Sequence, residues 1–240
     1  MANIFPKWTN RLPLQIILGA LFVGGALTAF VSYYFTPKYT RVGYMPKQPV
    51  PFDHALHVTQ LGMDCRYCHA GVEVSSHSSV PTTQTCMNCH TQIQSKNGKL
   101  APVRASWQTG EPVRWVKIHK APDYVYFNHA VHVNRGVSCV HCHGHVDEMH
   151  VVWHDQPQSM AWCLECHRNP EAKVRPLEKV FDLTWQPEKG GLKPETLARL
   201  EKAGVKVDDQ GKIVDQKQMG EYLVREWQVK PPVDCAGCHR

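Results

Sequence analysis

All ten cysteines of this 240-residue chain lie in Cys-x-x-Cys pairs, and in all five pairs the next residue is histidine. The pairs are Cys65 and Cys68 before His69, Cys86 and Cys89 before His90, Cys139 and Cys142 before His143, Cys163 and Cys166 before His167, and Cys235 and Cys238 before His239. Two thiols at this spacing can form thioethers to the vinyl groups of one porphyrin. A histidine directly after the second thiol can turn its imidazole onto the iron. The pattern predicts five covalently bound haem c groups, with the ten cysteines as attachment points and His69, His90, His143, His167 and His239 as proximal ligands. Zinc knuckles need no histidine at that place, and five knuckles do not divide into four-cysteine sites. A thioredoxin-type redox disulfide would come as a single Cys-x-x-Cys.

Closed irons need five further axial ligands. Phe52-Asp53-His54-Ala55-Leu56-His57 precedes the first two motifs, and Phe127-Asn128-His129-Ala130-Val131-His132 precedes the next two. Phe127 follows Phe52 by 75 residues, Cys139 follows Cys65 by 74, and Cys163 follows Cys86 by 77. A two-haem module is therefore present twice. Imidazoles three apart on one helical turn share a face about 5 to 6 Å apart, so they cannot occupy opposite sides of one iron. Each pair is expected to clasp two different haems, with its phenylalanine packed on a porphyrin. His54, His57, His129 and His132 supply four distal ligands, and His119 is the expected fifth. Met149 and Met160 compete with it as thioether ligands of higher potential. His77, His141, His145, His150 and His154 outnumber the remaining vacancies and are expected at the surface or against propionates. His77 and His154 each stand nine residues before the next cysteine, which extends the correspondence between modules.

The elements that must carry these residues begin with an uncharged run from Leu12 to Phe35, 24 positions long. At 1.5 Å per residue it spans about 36 Å as a helix, enough to cross a bilayer. A cleaved signal peptide is the other reading, with small residues at Gly24, Gly25 and Ala26. The run exceeds a signal core of 7 to 15 residues, and Phe30, Tyr33, Tyr34 and Phe35 cluster at its outer end. Lys7 and Arg11 precede the run while Lys38, Arg41 and Lys47 follow it, so charge does not orient it. Haem c is attached outside the cytoplasmic membrane, which places the remainder on the periplasmic side. Residues 1–35 are thus the expected anchor and 36–51 an extended tether. The two-haem modules occupy 52–126 and 127–175. Residues 176–240 form an insert with the fifth motif at its end. Within the insert the pattern predicts helices over 193–204 and 216–227, where Met219, Leu223 and Trp227 recur every four residues, with a turn at Asp209-Gln210-Gly211. The fold class expected is mainly α with long loops, short helices after the motifs, and macrocycles in place of a conventional core.

Hydrophobic residues make up 42% of the chain, too few for a polytopic membrane protein, and the formal charge is +6. Ten haem propionates would reverse that charge, so the basic balance does not point to nucleic acid.

The anchor, the paired clasps, the stretch Tyr126-Phe127-Asn128-His129, the run Ser159-Met160-Ala161-Trp162-Cys163-Leu164-Glu165-Cys166-His167-Arg168 and the five motifs together resemble the pentahaem membrane-anchored cytochrome c subunit of alternative complex III. The modules are similar to class III multihaem cytochromes of the c3 and c7 type. The first resemblance covers nearly the whole chain. It implies an electron-relay subunit of a quinol:electron-acceptor oxidoreductase in the cytoplasmic membrane, not catalytic alone. Its implied partners are integral quinol-binding subunits, an iron-sulfur subunit, and a monohaem cytochrome c or oxidase. The competing reading is a self-contained quinol dehydrogenase of the tetrahaem type. A reductase with an open iron is disfavoured because no Cys-x-x-Cys-Lys motif occurs.

Overall fold

The computed structural model describes residues 5–35 and 40–239. Lys38 and the start of the expected tether lie outside the described residues, as do residues 1–4 of the anchor and Arg240 of the last segment. The chain divides into two compact units, 1–42 and 43–240. In the first, a 3-10 turn at Lys7–Arg11 leads into helix α1, Leu12–Phe35. Proline at the second helical position is tolerated because that amide has no intrahelical partner. Helix α1 buries no residue, and it is long and apolar enough to cross a membrane.

In the second unit every haem motif is itself a turn of helix. The motifs fall on α2 (Cys65–Cys68), α3 (Thr83–His90), α6 (Val140–His143), α7 (Met160–Arg168) and α10 (Cys235–Cys238). Short helices follow the second, third and fourth motifs, as expected, at Gly98–Leu100 with Ala101–Thr109, Val146–Glu148 and Pro170–Ala172. The motifs are helical as well, since two thiols that reach one macrocycle must share a helical face, and residues three apart do. Side-chain caps start three of these turns. Asp64 accepts from Arg66 N, Ser159 from Trp162 N, and Asp234 from Gly237 N. The other α-helices among the described residues are α4 (Ala101–Thr109), α5 (His129–Val133), α8 (Pro194–Lys202) and α9 (Gln216–Glu226), and a π-helix spans Ala55–Gln60. Among the described residues strand pairing is limited to isolated bridges, such as Val125 with His239 and Val137 with Val174.

A conventional apolar core does form, contrary to expectation, and it forms in the insert. Leu200 of α8 and Met219 and Leu223 of α9 are fully buried against Val174, Trp185 and Ile213, with Trp227 packed on the same cluster. The four-residue spacing on α9 places these side chains on one stripe. Asp215 caps that helix by accepting from Lys217 N and Gln218 N. Gly220 lets α9 lie directly on the carbonyl of Glu171, where any Cβ would collide. Among the described residues the haem-motif region holds smaller clusters, for example Val50 with Met87 and Val103.

Residues 43–51 form no helix and are docked. Gly43 N donates to the His154 carbonyl and His154 N to the Tyr44 carbonyl, both within 3.0 Å. The Gln48 side chain brackets the Val116 backbone with two 2.9 Å hydrogen bonds.

Candidate functional site

The two clasps have nearly the same geometry. The Phe52 ring stacks on His57 at 4.5 Å and 26° and meets His54 edge-on at 4.8 Å and 86°. The Phe127 ring stacks on His132 at 4.5 Å and 28° and meets His129 edge-on at 4.7 Å and 88°. The phenylalanines therefore wedge the two imidazoles of each clasp into different orientations, a role the expected porphyrin contact did not include. A side chain between the phenylalanine and the first histidine fixes the turn. Asp53 Oδ1 accepts from Leu56 N at 3.0 Å, and Asn128 Oδ1 from Val131 N at 3.3 Å.

Ring hydrogen bonds define which nitrogen of each histidine is available. Nδ1 donates to a backbone carbonyl in His57 (Asp53, 2.8 Å), His132 (Asn128, 2.7 Å) and His129 (Ser76, 2.9 Å). The same holds for His69 (Ser79, 2.8 Å), His90 (Ile93, 2.9 Å), His167 (Pro232, 2.7 Å) and His239 (Tyr124, 3.3 Å). A carbonyl can only accept, so Nδ1 carries the proton and Nε2 keeps its lone pair. This outer hydrogen bond is the one that orients metal-ligating imidazoles.

Two of these rings stand near two others, tilted by 64° and 35°. His57 and His90 have ring centres 6.3 Å apart, and His132 and His167 have them 6.1 Å apart. Two metal–nitrogen bonds of about 2 Å, plus roughly 1 Å from each nitrogen to its ring centre, give about 6 Å for imidazoles on opposite sides of one ion. The pairs correspond under the internal repeat, so the duplication extends to three dimensions.

His54 and His143 are held differently. Burial, then the nearby His69 and His57, push the His54 imidazole down to about 4, and its Nδ1 is buried without a hydrogen-bond partner. Burial followed by His119, His129 and His69 pushes His143 down to about 3. His119, lowered to about 4 by burial and then by His154, buries an Nε2 without a hydrogen-bond partner. Its ring lies 4.4 Å from His143, edge-on, closer than two rings sharing an ion from opposite sides. His154 is buried 5.2 Å from His119 rather than at the surface. Its nine-residue offset from Cys163, shared with His77, was the sequence signal for a structured place.

Met149 is fully buried and its carbonyl accepts from His54 N and Ala55 N, whereas Met160 is exposed at the start of α7. His150 meets the Asp53 carboxylate at 2.8 Å, which holds that carboxyl below the usual range. His141 receives a 3.3 Å hydrogen bond from buried Arg175, whose guanidinium also donates to the Asp182 carbonyl at 3.2 Å and thereby ties the insert to the third motif. His145 lies 3.6 Å from Asp147, and His77 bonds Ser76.

The ten thiols are free. Burial pushes Cys139 up to about 11 and Cys142 up to about 12. A thioether is uncharged, so attachment to haem at these buried sites would carry no such penalty. After burial, the next influence on several thiols is a thiol of another motif: Cys86 on Cys68, Cys65 on Cys139, Cys166 on Cys142 and Cys238 on Cys163.

Comparison with known proteins agrees with this donor set. Residues 36–122, which hold the first clasp, the first two motifs and His119, match the Class III cytochrome C family. A 98-residue stretch is 35% identical to the menaquinone reductase multiheme cytochrome c subunit of Nitratidesulfovibrio vulgaris. That stretch covers 40% of this chain and 46% of the relative, so the match spans under half of either protein. The matched segment has the makings of a multihaem cytochrome c with covalently bound haem.

Proposed function

We propose that this chain is a pentahaem c-type cytochrome, an electron-transfer subunit of a quinone-linked membrane oxidoreductase similar to alternative complex III. In this reading it relays electrons from quinol toward a periplasmic cytochrome c or terminal oxidase. The observation that carries it is the repeated pairing of a clasp histidine with a motif histidine at 6.3 and 6.1 Å. Each of the five motifs supplies two thioether attachments and a proximal imidazole. His54, His57, His119, His129 and His132 would supply the remaining axial imidazoles, His57 serving the same haem as His90 and His132 the same haem as His167. Met149 and Met160 are the thioether alternatives. Bound haem supplies a one-electron redox centre whose potential falls with bis-histidine ligation and rises with methionine.

The residues of the chain perform the remaining work. Nδ1-to-carbonyl hydrogen bonds aim Nε2 in His57, His69, His90, His129, His132, His167 and His239, the phenylalanines keep neighbouring imidazoles apart in angle, and burial keeps His54, His119 and His143 neutral and able to donate a lone pair. Helix α1 serves as a single-pass anchor, with the second unit on the periplasmic side. Integral quinol-binding subunits, an iron-sulfur subunit and a monohaem cytochrome c or oxidase are the partners. The self-contained quinol dehydrogenase remains the competing reading. The relative's name favours a further variant, in which electrons run toward menaquinone. Isolated full-length chain mixed with quinol separates them: a relay stays oxidised until its partners are added, and direct reduction would refute it. In the assembled complex, reduction of the haems by quinol but not by an external cytochrome supports the proposed direction, and the converse supports the variant. Mass spectrometry of matured protein is expected to show five haem additions, and fewer would overturn the count.

A further inference from the structure

We infer that the five haem sites form one unbranched row in which the order in space is second, first, third, fourth and fifth motif, so that its two ends are the Cys86/Cys89 and Cys235/Cys238 motifs. This deepens the relay reading and rests on it, because it assigns the ports at which electrons enter and leave.

Each link is a direct contact. The second and first motifs touch through their own intervening residues, with Asn88 Nδ2 donating to the Tyr67 hydroxyl at 3.1 Å. The first and third meet where Val72, just after one motif, buries itself with Val133, just before the other. Beside them Asn134 Nδ2 donates to the Glu73 carbonyl at 2.8 Å. The third and fourth are joined by Gln158, which precedes α7 and donates to the Cys142 carbonyl at 3.1 Å. The fourth and fifth are joined by the His167 ring on the Pro232 carbonyl at 2.7 Å, two residues before the Asp234 cap of α10.

Exposure follows the same order. Cys89 and Cys235 are the exposed cysteines, and the other eight are partly buried. A row exposes its ends and shelters its middle, and a ring or branched cluster would not single out these two motifs. Chain order and path order therefore differ. The third motif, third in sequence and in space, is the midpoint. The second motif is terminal although it lies between the first and third in sequence.

The test compares full-length haem-loaded protein with variants lacking one haem, using EPR-monitored potentiometry and haem counting by mass spectrometry. Removing residues 234–240, or combining Cys86→Ala with Cys89→Ala, is expected to leave four haems and shift the midpoint of one remaining haem, its single neighbour. Cys65→Ala with Cys68→Ala is expected to shift two. An end variant that shifts two remaining haems would overturn the row. Should a variant fail to mature, iron positions in a cryo-EM map of the full chain decide. Adjacency in the stated order supports the row, and any other order overturns it. Stoichiometric carbon monoxide binding by the parent would overturn the closed relay while leaving the row standing, and closed irons in another order would overturn the row alone.

Discussion

Replacing His57 by alanine removes one imidazole of the pair whose ring centres stand 6.3 Å apart. That distance decides what the change does. A gap of about 6 Å is the sum of two coordinate bonds and two ring radii, whereas rings 4.4 Å apart, as in His119 and His143, leave no place for an ion between them. Alanine has no atom that can cross the vacated space, and the phenylalanine stacked on His57 carries no lone-pair donor. His90 would remain as the single axial ligand of the second motif. The expected result is one high-spin iron among five, with ferrous protein binding one equivalent of carbon monoxide per chain and parent protein binding none.

The internal repeat sharpens this expectation. His132→Ala is expected to have the same effect at the fourth motif, and the double variant to bind two equivalents, because the sites are separate and their losses add. His57→Met is expected to restore a six-coordinate spectrum with a raised potential. A His57→Ala protein that stays fully low-spin, or that opens two irons, would refute the pairing. Stoichiometric carbon monoxide binding by the parent would refute the closed relay.

Leu223→Ala in the insert core is expected to cost about 2 to 5 kcal/mol, seen as a lower denaturant midpoint and faster proteolysis of the insert with the haem number unchanged. Gly220→Ala is expected to force α9 off the Glu171 carbonyl and destabilise the same region, while the neighbouring surface change Glu221→Ala is expected to be nearly neutral.

The haem motifs and the clasps were legible because their chemistry is local. Five Cys-x-x-Cys-His strings and two Phe-x-His-x-x-His strings declare themselves by spacing alone, and the apolar run from Leu12 to Phe35 became α1 over the same residues. Helices α8 and α9 were legible for a similar reason, with a proline start and a four-residue stripe. What depends on distant contacts was not legible. The insert's core needs Val174 and Trp185 to return against α9, and no periodicity announces that. His154 looked like a surplus histidine, yet backbone pairing with residues 43 and 44 draws it inside. The Asp53 and Asn128 caps differ in charge but share a position, and their role shows only once the following amides are seen to bond them.

Contacts between the repeats explain why two modules make one unit. The amides that open the first clasp, His54 and Ala55, donate to the Met149 carbonyl in the second module. The amides that open the second clasp, His129 and Ala130, donate to the Ser76 and Ser75 carbonyls in the first. Each clasp is thus docked on the loop that follows a haem motif of the other copy, at matching places in the repeat. A duplicated module that closed on itself would have left two independent two-haem bodies and free variation in their spacing. Reciprocal docking instead fixes the first and third motifs against each other, at the centre of the proposed row. The same exchange accounts for the duplicated phenylalanine geometry, since each clasp is built from equivalent residues and held by equivalent carbonyls. It also leaves the unrepeated part of the chain, the insert with its own apolar core, tied to the third motif through Arg175.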